Sequence, residues 1–287
     1  MSLEGEGVGR LDGYALFVKD TVIGDEVRVK IIKANKTYGY ARLMEVITPS
    51  SYRVTARCPI ARQCGGCQLQ ALSYEKQLEF KTSKVRGHLE RIGGFTDIPM
   101  EKILGMDQPF HYRNKAQFPV GKSKDGRIIT GFYAGRTHSI IENRDCALGV
   151  TRNKEVLDRV IAHMEKFHIQ PYDENTGKGL VRHVLIRYGF FTDEMMVCLI
   201  INGEKLPGEE ALVKSLRQIP EAVSVMVNVN KKRNNVILGE KVRLLWGQPY
   251  ITDKIGEISY QISPLSFFQV NPYQTGRLYG KALEYAQ

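Results

Sequence analysis

Cys58-Pro-Ile-Ala-Arg-Gln-Cys64-Gly-Gly-Cys67 gathers three of the chain's five cysteines into ten residues. Thiolates at this spacing can converge on one metal centre, and the Gly-Gly pair frees the backbone to turn both flanking sulfurs inward. Such a site usually takes four ligands, so a fourth must come from another segment. Cys146, in Asn143-Arg144-Asp145-Cys146, is the first candidate. Cys198 lies in the apolar run Met195-Met196-Val197-Cys198-Leu199-Ile200-Ile201, which reads as a buried strand where cysteine behaves as a small hydrophobe. The plainer alternative is a reduced, unliganded group, or one disulfide with a spare thiol. Against it, this spacing around two glycines is a poor way to build a packed core. Structural zinc sites more often pair two C-x2-C knuckles or mix Cys with His. Three clustered cysteines plus a remote one favour a cubane iron–sulfur cluster over zinc, the other open reading.

The 287 residues suffice for two domains and part of a third. No apolar run approaches the roughly 20 residues of a membrane span, and the Met1-Ser2-Leu3 start has neither the basic region nor the apolar core of a signal peptide. An odd cysteine count argues against a secreted disulfide scaffold and for a reducing cytoplasm. The net charge of +10 favours a polyanionic partner.

Residues 1–57 read as a small OB-like β-barrel: a hairpin signal at Asp12-Gly13, then Tyr14–Val18, an alternating strand over Asp25–Lys33, and Tyr38–Leu43. Lys30, Lys33, Lys36 and Arg42 with Tyr38 and Tyr40 form either a phosphate-and-stacking surface or an ordinary solvated face. After the cysteine loop a helix is expected over Ser73–Ile92, with Tyr74, Leu78, Val85, Leu89 and Ile92 on one face and Gly93-Gly94 at its end. Residues 58–247 then read as an α+β domain: strands from Pro109 to Ile141, a helix over Asn153–His168, strands near 181–190, 194–202 and 221–230, and a helix over Glu209–Gln218. His163 and His168 are expected at the surface or rim. Beyond Trp246-Gly247 a hairpin over Tyr250–Ile262 turns at Asp253–Gly256, and a helix starts at Thr275.

With these residues in view, the chain resembles the RNA 5-methyluridine methyltransferases that carry an iron–sulfur cluster, and within them the bacterial 23S rRNA (uracil-5)-methyltransferases. Gly5–Val46 is similar to the TRAM domain of that family, and Cys64-Gly-Gly-Cys67-Gln-Leu-Gln is the most specific single match. The resemblance implies that Cys58, Cys64, Cys67 and Cys146 hold a 4Fe-4S cluster and that Tyr112, Arg113 and Lys115, in Tyr112-Arg-Asn-Lys115, lie toward the RNA. It also implies that Ser266-Phe-Phe-Gln-Val-Asn271 opens a Rossmann-like methyltransferase domain, with Gln269 on S-adenosyl-L-methionine and Phe267 beside the substrate nucleotides. Taken alone, Gln269 reads as a polar residue fixing a loop.

The resemblance further implies a reaction in which a cysteine thiolate adds to carbon 6 of uracil, carbon 5 attacks the sulfonium methyl, and a base removes the carbon-5 proton. The nucleophile, base and glycine-rich cofactor loop are not found in these residues, and Gly5-Glu-Gly-Val-Gly9 precedes a strand rather than a helix. Cys198, flanked by apolar residues, is not the nucleophile. The expectation is therefore a multidomain protein: a TRAM-like barrel at 1–57, a central α+β iron–sulfur domain at 58–247 and the start of a methyltransferase domain at 248–287. Such a chain is the monomeric, cytoplasmic, ribosomal-RNA-binding part of a longer enzyme, inactive by itself and without a membrane partner. The alternatives are a stand-alone RNA-binding module with a structural metal, a zinc-stapled ribosome-associated protein, or a tRNA 5-methyluridine methyltransferase.

Overall fold

Asp12 and Gly13 both take positive φ, 49° and 83°, the backbone a two-residue turn needs to match the twist of its flanking strands. They join β1 (Gly7–Leu11) to β2 (Tyr14–Val18), with Leu11 opposite Tyr14. The computed structural model describes residues 1–287 and contains two compact units, Met1–Gly105 and Met106–Gln287.

In the first unit β3 (Glu26–Ala34) and β4 (Tyr38–Thr48) complete a four-stranded sheet of order β1-β2-β4-β3. The expected barrel appears as this sheet, with β1 and β3 at its two ends. Its small core is Leu16, Val18 and Ala41, backed by Tyr14, Val29 and Leu43. Asp25, at the entry to β3, accepts the Arg53 guanidinium through both oxygens, at 2.9 and 2.5 Å, and the backbone N–H groups of Val22 and Ser50. Helix α1 (Tyr74–Arg91) starts on Ser73, whose hydroxyl accepts the Lys76 N–H, and ends in bonds from Ile92 and Gly93 to the His88 carbonyl. Its expected apolar stripe is only partly covered: Leu78 and Leu89 are half-buried, whereas Val85 and Ile92 are 51% and 82% exposed.

The second unit is built on a seven-stranded sheet of order β11-β10-β9-β8-β5-β6-β7. Its strands are β5 (Lys115–Lys122), β6 (Ile128–Tyr133), β7 (Ile140–Glu142), β8 (Val181–Tyr188), β9 (Met195–Ile201), β10 (Ala222–Val229) and β11 (Lys241–Gly247). Only β9 and β10 run parallel, joined through α3 (Glu209–Leu216). Alternate residues of β9 serve two cores. Met195, Val197, Leu199 and Ile201 meet α2 (Arg152–Lys166) and α3 through Val156, Leu157, Met164, Leu212 and Leu216. Met196, Cys198 and Ile200 face the hairpin of β12 (Ile251–Ile255) and β13 (Ile258–Ile262) through Ile251 and Ile262. A strand covered on both faces reads as a continuous apolar run, the pattern at 195–201.

Four details differ from the sequence reading. The hairpin turns at Gly256-Glu257, so Asp253 sits inside a strand and is fully buried. Helix α4 (Pro272–Ala286) begins earlier than Thr275, because Asn271 caps it by accepting the Gln274 N–H at 3.1 Å and Pro272 occupies the first turn. Strand β11 was not anticipated; as an edge strand it is covered unevenly and shows no period-2 pattern. His163 is buried, because its ring turns inward against Phe167 and its Nε2 reaches the Pro207 carbonyl at 2.9 Å. No helix is long and apolar enough to cross a membrane.

Candidate functional site

In the first unit the cysteine loop folds as consecutive turns: Ala61 N–H donates to the Cys58 carbonyl, and Gln63 and Cys64 N–H donate to that of Ile60. Two glutamines anchor it. Gln70 Oε1 accepts the Cys58 N–H at 3.0 Å, and Gln77, on α1, donates to the Leu69 and Leu72 carbonyls at 3.0 and 2.9 Å. Cys58 is buried, while Cys64 and Cys67 are partly exposed. The Gly66 N–H donates to Cys64 Sγ at 3.4 Å, a bond that stabilises a thiolate. Neither Gly65 nor Gly66 is in the left-handed region, and a Cβ on Gly66 would meet only Cys64 Sγ, at 3.5 Å, an ordinary contact. No group of three or more His, Cys, Asp or Glu side chains is arranged to hold a metal ion. The donor set fits a thiophilic centre by its chemistry, sulfur ligands with an amide aimed at one of them, and not by a ready-assembled geometry.

The same unit carries a basic aromatic face. Tyr38, Tyr40 and Arg42 alternate along β4, with Lys33 opposite Tyr40 and Lys30 opposite Arg42. The rings of Phe17, Tyr38 and Tyr40 cluster at 5.7–5.8 Å. Two cations directly across a strand pair disfavour each other, and an anion between them relieves that repulsion.

In the second unit the structure brings two separated motifs together at one residue. Asn114 donates its backbone N–H to the Val270 carbonyl at 3.0 Å and its side-chain Nδ2 to the Gln269 carbonyl at 2.9 Å, and its own carbonyl accepts the Tyr188 N–H. The Tyr112–Lys115 segment is thereby fastened to Ser266–Asn271, about 155 positions along the chain. Asn114 is buried, and its Oδ1 has no hydrogen-bond partner. An unfilled buried acceptor beside Gln269 fits a ligand that brings an N–H or O–H donor, as S-adenosyl-L-methionine does. The Cys146 loop is joined to the same motif: His111 and Arg113 donate their N–H groups to the Ala147 and Leu148 carbonyls at 3.0 and 2.8 Å.

Arg187 completes the junction. It lies directly across from Lys115, is only 2% exposed, and donates to the Pro264 and Ser266 carbonyls, the first at 3.3 Å. Its Nε has no partner. Burial pulls its pKa down to about 10, and burial with the neighbouring Arg187 and Arg113 charges also pulls Lys115 below the ordinary lysine range. Cys198, also on this face, is fully buried. Burial pushes its thiol up to about 12, although Arg187 pulls the other way. Sequence reading saw no charge near Cys198; Arg187 is one, yet desolvation outweighs it, and the thiolate stays inaccessible.

Among the expected RNA-facing residues, Arg113 is exposed, Tyr112 and Lys115 are half-buried and Phe267 is 85% exposed, while Gln269 is half-buried. Sequence reading missed Arg187 and the linking role of Asn114. The available signal was a charge set inside the otherwise apolar strand Val184-Leu185-Ile186-Arg187-Tyr188.

Residues 2–44 match the model of the TRAM domain. A protein from Clostridium tetani named as an uncharacterized RNA methyltransferase is 44% identical over 287 residues, which is 100% of this chain and 62% of that protein. A similarly named protein from Halalkalibacterium halodurans is 45% identical over 284 residues, 99% of this chain and 62% of its own length. Among solved structures, the Pyrococcus abyssi tRNA (uracil-54, C5)-methyltransferase in complex with S-adenosyl-L-homocysteine superposes with a TM-score of 0.74 at 28% identity, covering 99% of this chain and 63% of that one. Residues 2–44 are thus a TRAM domain, and the chain is a relative of proteins named as RNA methyltransferases, of whose length it spans about 62%.

Proposed function

We propose that this chain is the RNA-binding and cluster-binding part of a cytoplasmic, monomeric enzyme that methylates carbon 5 of uridine in 23S rRNA. The observation that carries the reading is the Asn114 junction, which joins a cationic motif to the segment holding Gln269 and leaves a buried acceptor beside it. Likeness to RNA methyltransferases and to a uracil-C5 enzyme supports the chemistry. A tRNA substrate is the second reading, favoured by the substrate of the Pyrococcus abyssi neighbour.

In this account Arg113 and Lys115 neutralise RNA phosphates, and Tyr112 and Phe267 offer rings to the bases around the target. Gln269 orients the amino-acid end of the methyl donor through its side-chain amide. S-adenosyl-L-methionine, when bound, supplies an electrophilic methyl group. Cys58, Cys64, Cys67 and Cys146 would hold a 4Fe-4S cluster with a structural role, and Cys198 takes no part. The divisions 1–57, 58–247 and 248–287 stand as the proposed TRAM, cluster and methyltransferase portions. The 287 residues alone bind RNA without transferring a methyl group, since their one cysteine outside the ligand set is the buried Cys198.

The test is anisotropy binding of a labelled rRNA fragment across a salt series. Arg113→Ala and Lys115→Ala should each weaken binding by about 1–3 kcal/mol, and each lost phosphate contact should lower the salt slope by about one. Unchanged affinity in both variants would remove the RNA-facing role of this motif.

A further inference from the structure

We propose that Phe190, Phe191 and Tyr273 form a stacking platform for unpaired bases of the bound RNA, held in position by Asp253. The proposal rests on the RNA-binding reading of the same face and adds the site that takes single-stranded nucleotides. Phe190 and Phe191 lie in the turn between β8 and β9, and Tyr273 lies in the first turn of α4. Phe190 sits edge-on to Tyr188 at 5.4 Å and to Tyr273 at 5.6 Å, and Phe191 edge-on to Tyr273 at 6.0 Å. Each edge-to-face contact covers one face of one ring and leaves the opposite face of that ring uncovered by it, and Phe191 and Tyr273 are 50% and 51% exposed.

The turn that presents these rings is rigidly built. Asp253, with no exposed surface, accepts the Phe190 N–H at 3.2 Å and the Phe191 N–H at 3.0 Å. Thr192 Oγ1 donates to the Thr252 carbonyl, and Thr252 N–H donates to Glu194 Oε2, each at 2.6 Å. Tyr188 Oη closes the turn on Asp193 Oδ1 at 2.7 Å. A buried carboxylate that holds a half-buried and an exposed aromatic residue is a costly arrangement for a turn that only reverses the chain.

Charge points to the occupant. Tyr188 donates to the Asn114 carbonyl, so the platform adjoins the strand end that carries Arg113 and Lys115. Asp193 accepts from Tyr188 Oη on β8, Glu194 from the Thr252 N–H of β12 and Asp253 from the amides of the turn, which leaves the exposed Arg113 and half-buried Lys115 for an external anion. Aromatic faces beside unpaired cations are the composition of a single-strand binding surface, where bases stack and phosphates are neutralised.

The experiment compares a labelled oligouridine single strand with an RNA duplex of matched length, bound to the 287-residue chain. Phe191→Ala should weaken single-strand binding about tenfold and leave duplex binding unchanged, the effect of losing one base stack. Phe191→Trp should keep the affinity, and its added fluorescence should be quenched when oligouridine binds. Arg113→Ala should weaken both ligands. If Phe191→Ala binds oligouridine like the parent while Arg113→Ala does not, the platform is wrong and the RNA-binding face stands. If Arg113→Ala changes neither ligand, the underlying reading falls. Absence of quenching in Phe191→Trp, or a change of oligomeric state in Phe191→Ala without loss of single-strand affinity, overturns the platform in favour of a protein contact.

Discussion

Replacing Arg187 by Met tests how the 263–271 segment is held. The substitution removes a buried guanidinium and its bonds to the Pro264 and Ser266 carbonyls. Hydrogen bonds to a charged group contribute about 1.5–3 kcal/mol each, so the two together are worth roughly 3–6 kcal/mol. Opposing them is the cost of burying the charge. A guanidinium drawn from 12.5 to about 10 by burial carries a penalty of about 3 kcal/mol at 1.36 kcal/mol per pH unit. Methionine is apolar, of similar length, and has neither the gain nor the penalty. The net loss is therefore expected at about 0–3 kcal/mol, with the fold intact. The local effect should be larger than the global one: amide exchange through 264–271 should accelerate while β9 and β10 stay protected. Urea denaturation gives the first quantity and hydrogen exchange the second. A loss well above 5 kcal/mol, or unchanged exchange in 264–271, would refute the view that Arg187 serves to dock this segment. The Cys198 thiol, freed from the nearby cation, should become harder still to ionise, measurable as slower alkylation in urea below the transition.

Burial, with Arg182 adding to it and Glu174 opposing it, draws His183 down to about 4. A histidine buried neutral binds fewer protons than the unfolded chain between that value and about 6.5, so stability should fall by about 3 kcal/mol as pH drops through this window, and a His183→Gln variant should flatten the slope. Asp25 is pushed up by burial but held below the ordinary carboxylate range by Arg53 and the Ser50 and Val22 N–H groups, so its contribution is present at neutral pH and lost as pH falls through its depressed value. Asp25→Ala, which strands Arg53, should destabilise the first unit by about 3–5 kcal/mol in thermal or urea unfolding. Anaerobically purified protein should be brown and contain iron and sulfide; Cys64→Ser should lose both, and Cys198→Ala neither. One zinc and no iron would replace the cluster with a zinc centre.

Local signals were legible where local physics decides. The Asp12-Gly13 hairpin, the helix beginning near Ser73 and the apolar run 195–201 could be read from short-range chemistry, and the structure has each of them. What was not legible depends on partners distant in sequence. Asp253 looked like a turn residue because its carboxylate receives amides from a loop 62 positions away. His163 looked like a rim residue because the carbonyl that takes it inside belongs to Pro207. The Tyr112–Lys115 and Ser266–Asn271 motifs were each visible, but their meeting at Asn114 is a tertiary fact. Arg187 was hidden for the same reason: its acceptors lie 77 and 79 residues further along the chain.

The most direct test of the account is nucleoside analysis after reaction of the complete enzyme with unmodified ribosomal RNA and S-adenosyl-L-methionine carrying a deuterated methyl group. The account predicts label in 5-methyluridine, its loss from a preparation stripped of the methyl donor, and none with the 287-residue chain alone. Label in any nucleoside other than 5-methyluridine, or methyl transfer by the 287 residues by themselves, would contradict it.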